Sequence, residues 1–270
     1  MIDFRSMAIN AFEQAKKQLS ENNDIKLNYA ALELRFCLEY MTYDRARAYH
    51  DEIPDIESLS WQPNKLMNEL LELDPFADAK ASISIGLQKK YGERSEDMQL
   101  LGTENPITLK LLKDHYNALG SFLHAPTLKQ FKKDNIDFSA RRKRFEAIIA
   151  DIEIALSSTV WNLKTPLSSN FNCERCDRTV SVRMHPRENE RGIRCFNCNA
   201  TYHFKKSNGG SLNYAKNGGS ITCKNEKCGN QFFIWSDEAI PESRHKCPKC
   251  QYENRLVLGV YGTSDSTING

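Results

Sequence analysis

Apolar residues recur at three- and four-residue steps from the start of the chain. Phe4, Met7, Ala11, Ala15 and Leu19 fall on one stripe, the spacing of an amphipathic helix. The period continues through "DIKLNYAALELRFCLEYMTYDRARAYHDEI", where Leu27, Ala30, Leu34, Cys37, Leu38 and Met41 share a face; this predicts a second, longer helix that ends before Pro54. Shorter helices are predicted over Pro63–Leu73 and Pro106–His124, each with a proline near its first turn, where a missing N–H leaves no bond unmade. A last helix is predicted over Asp137–Trp161, with Phe145, Ile148, Ile149, Ile152 and Leu156 inward. Between them, Ile83, Ile85 and Leu87 alternate with small or polar residues, the pattern of a small two-stranded β excursion.

The helical period is lost in "NLKTPLSSN" (162–170), which places a domain boundary there. The predicted organisation is a mainly α domain over 1–164, a small β domain over 165–262 and a flexible tail over 263–270. Eight of the nine cysteines lie beyond that boundary, in four pairs: Cys173/Cys176, Cys195/Cys198, Cys223/Cys228 and Cys247/Cys250. An 18-residue gap separates the two pairs in each set, and the sets begin 50 residues apart, so the arrangement is an internal repeat.

This spacing carries chemistry. A tetrahedral zinc ion takes four thiolates at about 2.3 Å, and a two-residue spacer lets one tight turn aim both sulfurs at one metal. Two structural Zn2+ ions are expected, one held by Cys173, Cys176, Cys195 and Cys198 in a ribbon at about 171–206. The other is held by Cys223, Cys228, Cys247 and Cys250 in a ribbon at about 221–258. A disulfide framework, a redox dithiol and ligation crossed between the repeats are the alternatives; His185, His203 and His245 are spare donors that two complete sets of four do not need. Cys37 sits on a helix core face and reads as a small buried apolar residue. Between the ribbons, Asn-Gly-Gly occurs twice, nine residues apart, which predicts short strands joined by tight turns.

Composition adds two exclusions. At 40% hydrophobic and 27% charged the 270-residue chain is neither disordered in bulk nor a membrane protein, and its first residues lack a secretory pattern, so a soluble, cytoplasmic protein is expected. Net charge is only +2, but Phe171–Gly262 holds 15 Lys and Arg against 9 Asp and Glu. A closed four-thiolate site has no open metal position, so activity must come from what the ribbons display. The first ribbon sets Arg175, Arg178, Arg183, Arg187, Arg191 and Arg194 beside Phe171, Phe196, Tyr202 and Phe204. Guanidinium groups grip phosphates and rings stack on bases, so RNA or single-stranded DNA is the expected partner, contacted by these arginines with Phe196 and Tyr202. The run "RRKR" at 141–144 is a solvated helix face or a further phosphate contact. Phe232, Phe233 and Trp235 give the second ribbon the look of a packing or protein-contact surface.

Over roughly residues 1–160, the segment "ELRFCLEY" (33–40), the helical architecture and "YNALGSFLH" (116–124) resemble prokaryotic HEPN-type helical domains. The resemblance implies a helical bundle that commonly dimerises. It also implies a place in toxin, antiviral-defence or RNA-processing systems, often as a metal-independent ribonuclease with an Arg and, four to six residues on, a His. This chain departs from that signature: Asn117, Ala118 and Leu119, with Tyr116 just before them, stand where the Arg before His124 belongs, and the literal Arg-x4-His, Arg45 to His50, lies on the long second helix. His124, before Ala125-Pro126, reads as a helix-terminal histidine. The leading expectation is a non-catalytic nucleic-acid-binding component of a defence or regulatory system, with a homodimer through the helical domain. The alternatives are an endoribonuclease built on Arg45, His50 or His124, and an adaptor that docks a larger protein partner.

Overall fold

The structure, a computed structural model, describes residues 2–21, 23–53, 60–90, 93, 95–125, 137–164, 169–184, 187–207, 212–257 and 259. Pro54, Pro126, residues 165–168 of the expected linker, His185, the Asn-Gly-Gly at 208–210 and the tail at 263–270 lie outside the described residues. The chain divides into two compact units. One is Met1–Ser169 with Ser181–His185, and the other is Asn170–Val180 with Pro186–Gly270.

Among the described residues the first unit holds five helices, α1 (Phe4–Ser20), α2 (Lys26–Arg47), α3 (Pro63–Leu73), α4 (Leu109–Leu123) and α5 (Phe138–Leu156), and one antiparallel hairpin, β1 (Ala81–Ile85) with β2 (Gln99–Glu104). No described helix is long and apolar enough to cross a membrane. Side chains cap three helix starts: Asp3 accepts from Ser6 N, Thr108 from Leu111 N and Asp137 from Ala140 N. Pro63 opens α3 as expected, whereas Pro106 stands two residues before the Thr108 cap of α4 and so outside its first turn.

The core is built chiefly between α1 and α2. The buried stripe of α1 is Ala8, Ala11, Phe12 and Ala15, rotated from the predicted one so that Met7 is exposed. Three alanines on that face let α1 approach the Leu27, Ala30, Ala31, Leu34, Cys37 and Leu38 side of α2 closely, and each large side chain fully buried there contributes about 1.5–3 kcal/mol. α2 stops at Arg47, short of the predicted length. Ala48 N turns back to Arg45 O at 3.2 Å, and the turns that follow carry Tyr49 and Ile53 into the core. Tyr49 Oη then donates to Asp74 Oδ2 at 2.9 Å, a bond a straight continuation of the helix would not deliver. In the hairpin, a Cβ at Gly102 would stand 2.6 Å from Val160 Cγ1, so only glycine lets the chain after α5 cross β2.

Beyond α5 the chain forms short strands: β3 (Ser169–Asn172) with β4 (Thr179–Val182), the three-stranded meander β5 (Glu190–Arg194), β6 (Thr201–Lys206), β7 (Leu212–Lys216), then β8 (Gly218–Thr222) with β9 (Gln231–Trp235) and β10 (Arg244–Lys246) with β11 (Glu253–Arg255), with β5 to β11 all in the second unit. The second Asn-Gly-Gly is not a hairpin turn. Asn217 links two sheets, and Gly218 and Gly219 lie in β8 opposite Trp235 and Ile234. A Cβ on Gly218 would sit 2.2 Å from Ile234 O and 2.6 Å from the Phe233 ring, which explains the glycine by close approach.

One aromatic cluster serves both ribbons. The Phe171 ring lies 4.8 Å from Tyr202, 5.3 Å from Phe204 and 4.9 Å from Tyr214, while Tyr202 meets Trp235 edge-on at 5.4 Å and Trp235 meets Phe233 at 5.2 Å. Such pairs contribute about 0.5–1.5 kcal/mol each beyond their burial. Arg175 of the first ribbon also donates to Asp237 at 2.7 Å and to Glu238 just after β9.

Candidate metal centres and the surfaces around them

The eight cysteines form two groups, Cys173/Cys176/Cys195/Cys198 and Cys223/Cys228/Cys247/Cys250, with the sulfurs in each group within 4.8 Å of one another. The pairing is therefore within each repeat and not crossed. The Sγ–Sγ separations Cys173–Cys198, Cys176–Cys195, Cys223–Cys250 and Cys228–Cys247 are 3.6, 3.7, 3.7 and 3.8 Å. That is far longer than a disulfide and close to the roughly 3.8 Å between two thiolates on one tetrahedral ion at about 2.3 Å. The residues fit a four-coordinate metal ion.

Four knuckles share one backbone device. Cys173 N, Cys195 N, Cys223 N and Cys247 N donate to Arg178 O, Ala200 O, Asn230 O and Tyr252 O at 2.8–2.9 Å. The residue after the second cysteine of each pair, Asp177, Asn199, Gly229 and Gln251, has φ between 56° and 62°. Gly adopts that left-handed turn freely, and Asn and Asp tolerate it better than most side chains.

The sulfurs of each group act on one another electrostatically. Burial alone would raise the Cys176 thiol, but the Arg178 N–H and the Asn197 side chain outweigh it and bring it down to about 7. Burial likewise opposes the Cys250 and Lys249 N–H groups at Cys247, which they lower to about 6. Three others are held up: burial raises Cys195, burial and neighbouring sulfurs raise Cys198, and at Cys228 the Asn230 N–H is outweighed by burial and by Cys250, Cys247 and Cys223, giving about 11. Thiolates this close repel one another, so a cation among them would offset that repulsion.

The repeat reaches beyond the cysteines. Tyr202 and Asn254 each stand four residues after the last cysteine of their set. Tyr202 Oη accepts from Glu174 N at 2.8 Å and donates to Cys173 Sγ at 3.2 Å. Asn254 Oδ1 accepts from Lys224 N at 2.8 Å, and its amide approaches Cys223 Sγ at 3.9 Å. Both residues thus tie the backbone after the first cysteine to that cysteine's sulfur, using different functional groups. Their role was hidden in the sequence because a tyrosine and an asparagine do not read as equivalents. His203 and His245 stay out of the groups: the first faces Glu190 at 3.4 Å, and the second bonds Ser243 Oγ at 2.8 Å.

The residues expected to meet nucleic acid separate into two sets. Arg178 and Arg187 are exposed; Arg194 lies over the Phe196 ring at 4.6 Å, both half-buried. Arg175 is held by Asp237 and Glu238, and Arg191 is paired with Glu188 at 3.5 Å. Two residues depart from the expectation. Tyr202 is 1% exposed because it belongs to the aromatic core and the first metal group. Arg183 is 5% exposed, and its segment belongs to the helical unit, where it donates to Glu52 Oε1 at 2.8 Å and faces Asp74 at 3.7 Å.

The catalytic candidates do not converge. Arg45 is buried, with Nε donating to Ala77 O at 2.8 Å and Nη1 3.4 Å from both Glu104 oxygens, beside a cavity of about 50 Å3, room for a water molecule or two. His50 is exposed beside Asp51. His124 is exposed in extended backbone just past α4. On α4, Arg35 of α2 lies over the Tyr116 ring at 3.8 Å and bonds Tyr116 O. In the run 141–144, Arg142 pairs with Asp24, Arg144 donates to His115, and Arg141 lies over Phe122 and Phe138.

Comparison of the chain with protein-family models, with curated proteins and with solved structures finds no match.

Proposed function

We propose that this is a two-zinc ribbon protein whose second unit binds single-stranded nucleic acid, with a HEPN-like helical unit that is non-catalytic and serves a defence or regulatory system. The observation that carries the binding reading is the Arg194 guanidinium carbon 4.6 Å from the centre of the Phe196 ring, beside Cys195 in the chain and half-exposed. A stacked guanidinium and ring beside a rigid knuckle is the pairing that accepts a base on one side and a phosphate on the other. Exposed Arg178, Arg187, Lys205, Lys224, Lys227, Lys246 and Lys249 on the same unit supply the field that draws in a polyanion. Four closed thiolates suit zinc, which at such a site would act by holding the fold.

The non-catalytic assignment rests on Arg45, spent on Glu104 and Ala77 O, and on exposed His50 and His124. Dimerisation is supported by an exposed apolar stripe on α2, Ile25, Tyr29, Leu32 and Phe36, which a second copy would cover. An adaptor reading is favoured by Ile240, Tyr252 and Val257, exposed on the second ribbon.

The test mixes zinc-loaded protein with a labelled single-stranded oligonucleotide and splits the sample between anisotropy over a salt series and a denaturing gel. Intact RNA and an affinity falling with a log–log slope near −0.7 per phosphate contact are expected. No binding at low salt overturns the reading in favour of protein docking, and shortened RNA restores the nuclease.

A further inference from the structure

The outer face of the β5–β6–β7 meander is distinct from the core it covers. Register pairs Gly192 with His203 and His203 with Ala215, then Glu190 with Lys205 and Lys205 with Asn213, and Arg194 with Thr201. Directly paired residues share a face, so these side chains stand opposite Ile193, Tyr202 and Phe204, which are buried. His203 is 54% exposed at its side chain and is flanked by a glycine and an alanine. A Cβ built on Gly192 meets nothing within 4 Å, so open space lies over that strand. Neighbouring strands run about 4.8 Å to either side, which leaves a flat lane on each side of the imidazole wide enough for a planar ring.

We propose that this face is the single-strand contact: an unpaired base stacks on His203 in the lane over Gly192 or Ala215, and Lys205 and the Arg194–Phe196 pair meet the adjoining backbone. It rests on the nucleic-acid reading above. The face carries no large apolar side chain among its described residues, so it does not suit an apolar protein partner, and a duplex keeps its base faces stacked away from such a lane. Glu190, the acidic residue of the face, brings its carboxylate to His203 Nε2 at 3.4 Å, a contact at the edge of the ring that leaves its π faces out of the bond.

The experiment uses the full zinc-loaded chain and a fluorescent oligouridylate, with wild type beside His203→Ala and Gly192→Leu. Leucine at 192 has room for its Cβ and fills the lane, and metal content measured on each variant checks that the ribbon has formed. Each variant is expected to bind about tenfold more weakly with both metals retained. Wild-type binding matched by both metal-retaining variants overturns the sheet face and leaves the nucleic-acid reading standing. No wild-type binding overturns both. Should Gly192→Leu lose metal, His203→Ala alone decides, since its side chain is exposed and outside both metal groups.

Discussion

The phenolic oxygen of Tyr202 donates to the sulfur of Cys173 at 3.2 Å while accepting the Glu174 N–H at 2.8 Å. One buried hydroxyl thereby fixes the turn and the sulfur at once, and removing it leaves an N–H without its partner. Tyr202→Phe keeps the ring within the cluster of Phe171, Phe204, Tyr214 and Trp235. The fold should persist, and competition with a chromophoric chelator should show the first metal group losing about tenfold in affinity. Asn254→Ala should weaken the second group by the same logic.

Arg45 and His50 should respond oppositely to replacement. Arg45→Met strips a buried charge from Glu104, whose carboxylate keeps the N–H groups of Asn162 and Leu163, and should cost about 3 kcal/mol in urea unfolding. His50→Ala, on the surface, should stay within about 0.5 kcal/mol. Equal effects would contradict the burial difference.

Arg183 should behave as a residue of the helical unit. Glu52 is held below its ordinary pKa of 4.5: burial pushes it up, but hydrogen bonds from Arg183 and Lys164 outweigh that. Replacing Arg183 by Met should destabilise by about 2–3 kcal/mol, less than the full loss of a buried pair because Lys164 remains at 2.9 Å. Adding Glu52→Gln should recover part of the loss, as a double-mutant cycle will read.

His115 should make stability pH-dependent. Burial, opposed by the hydrogen bond to Asp151, lowers its pKa below 6.5, with Arg144 adding to the lowering and Asp114 opposing it. Arg144 donates to Nδ1 at 3.1 Å, which leaves Nε2 to donate to Asp151 at 2.8 Å, so the folded ring is neutral. The unfolded chain then takes up the proton first as pH falls through about 6.5, and the folded state loses stability below that point. Melting temperatures from about pH 8 to pH 5.5 should fall in the wild type and flatten in His115→Asn.

The helices and both cysteine groups were legible because each rests on a short-range period. Alternation at β1, the 3.6-residue stripes and the spacing of Cys173, Cys176, Cys195 and Cys198 are local regularities. The helix ends were less so: α2 stops at Arg47, and Tyr49 just beyond it bonds Asp74, 25 residues away. The arginines of the first ribbon were the hardest to sort. In the chain Arg183 looks like Arg178, and only Glu52, 131 residues distant, makes it an interior residue.

The sequence by itself determined the two groups of four cysteines and the helical pattern of the first unit, because cysteine spacing and hydrophobic periodicity act over a few residues. Only the tertiary structure decided which polar side chains are displayed and which are consumed. Burial turns Arg45, Arg183 and Tyr202 inward, and their partners Glu104, Glu52 and Cys173 lie 59, 131 and 29 residues away. A charge or hydroxyl leaves water only where a partner meets it, and that meeting is a property of the folded chain.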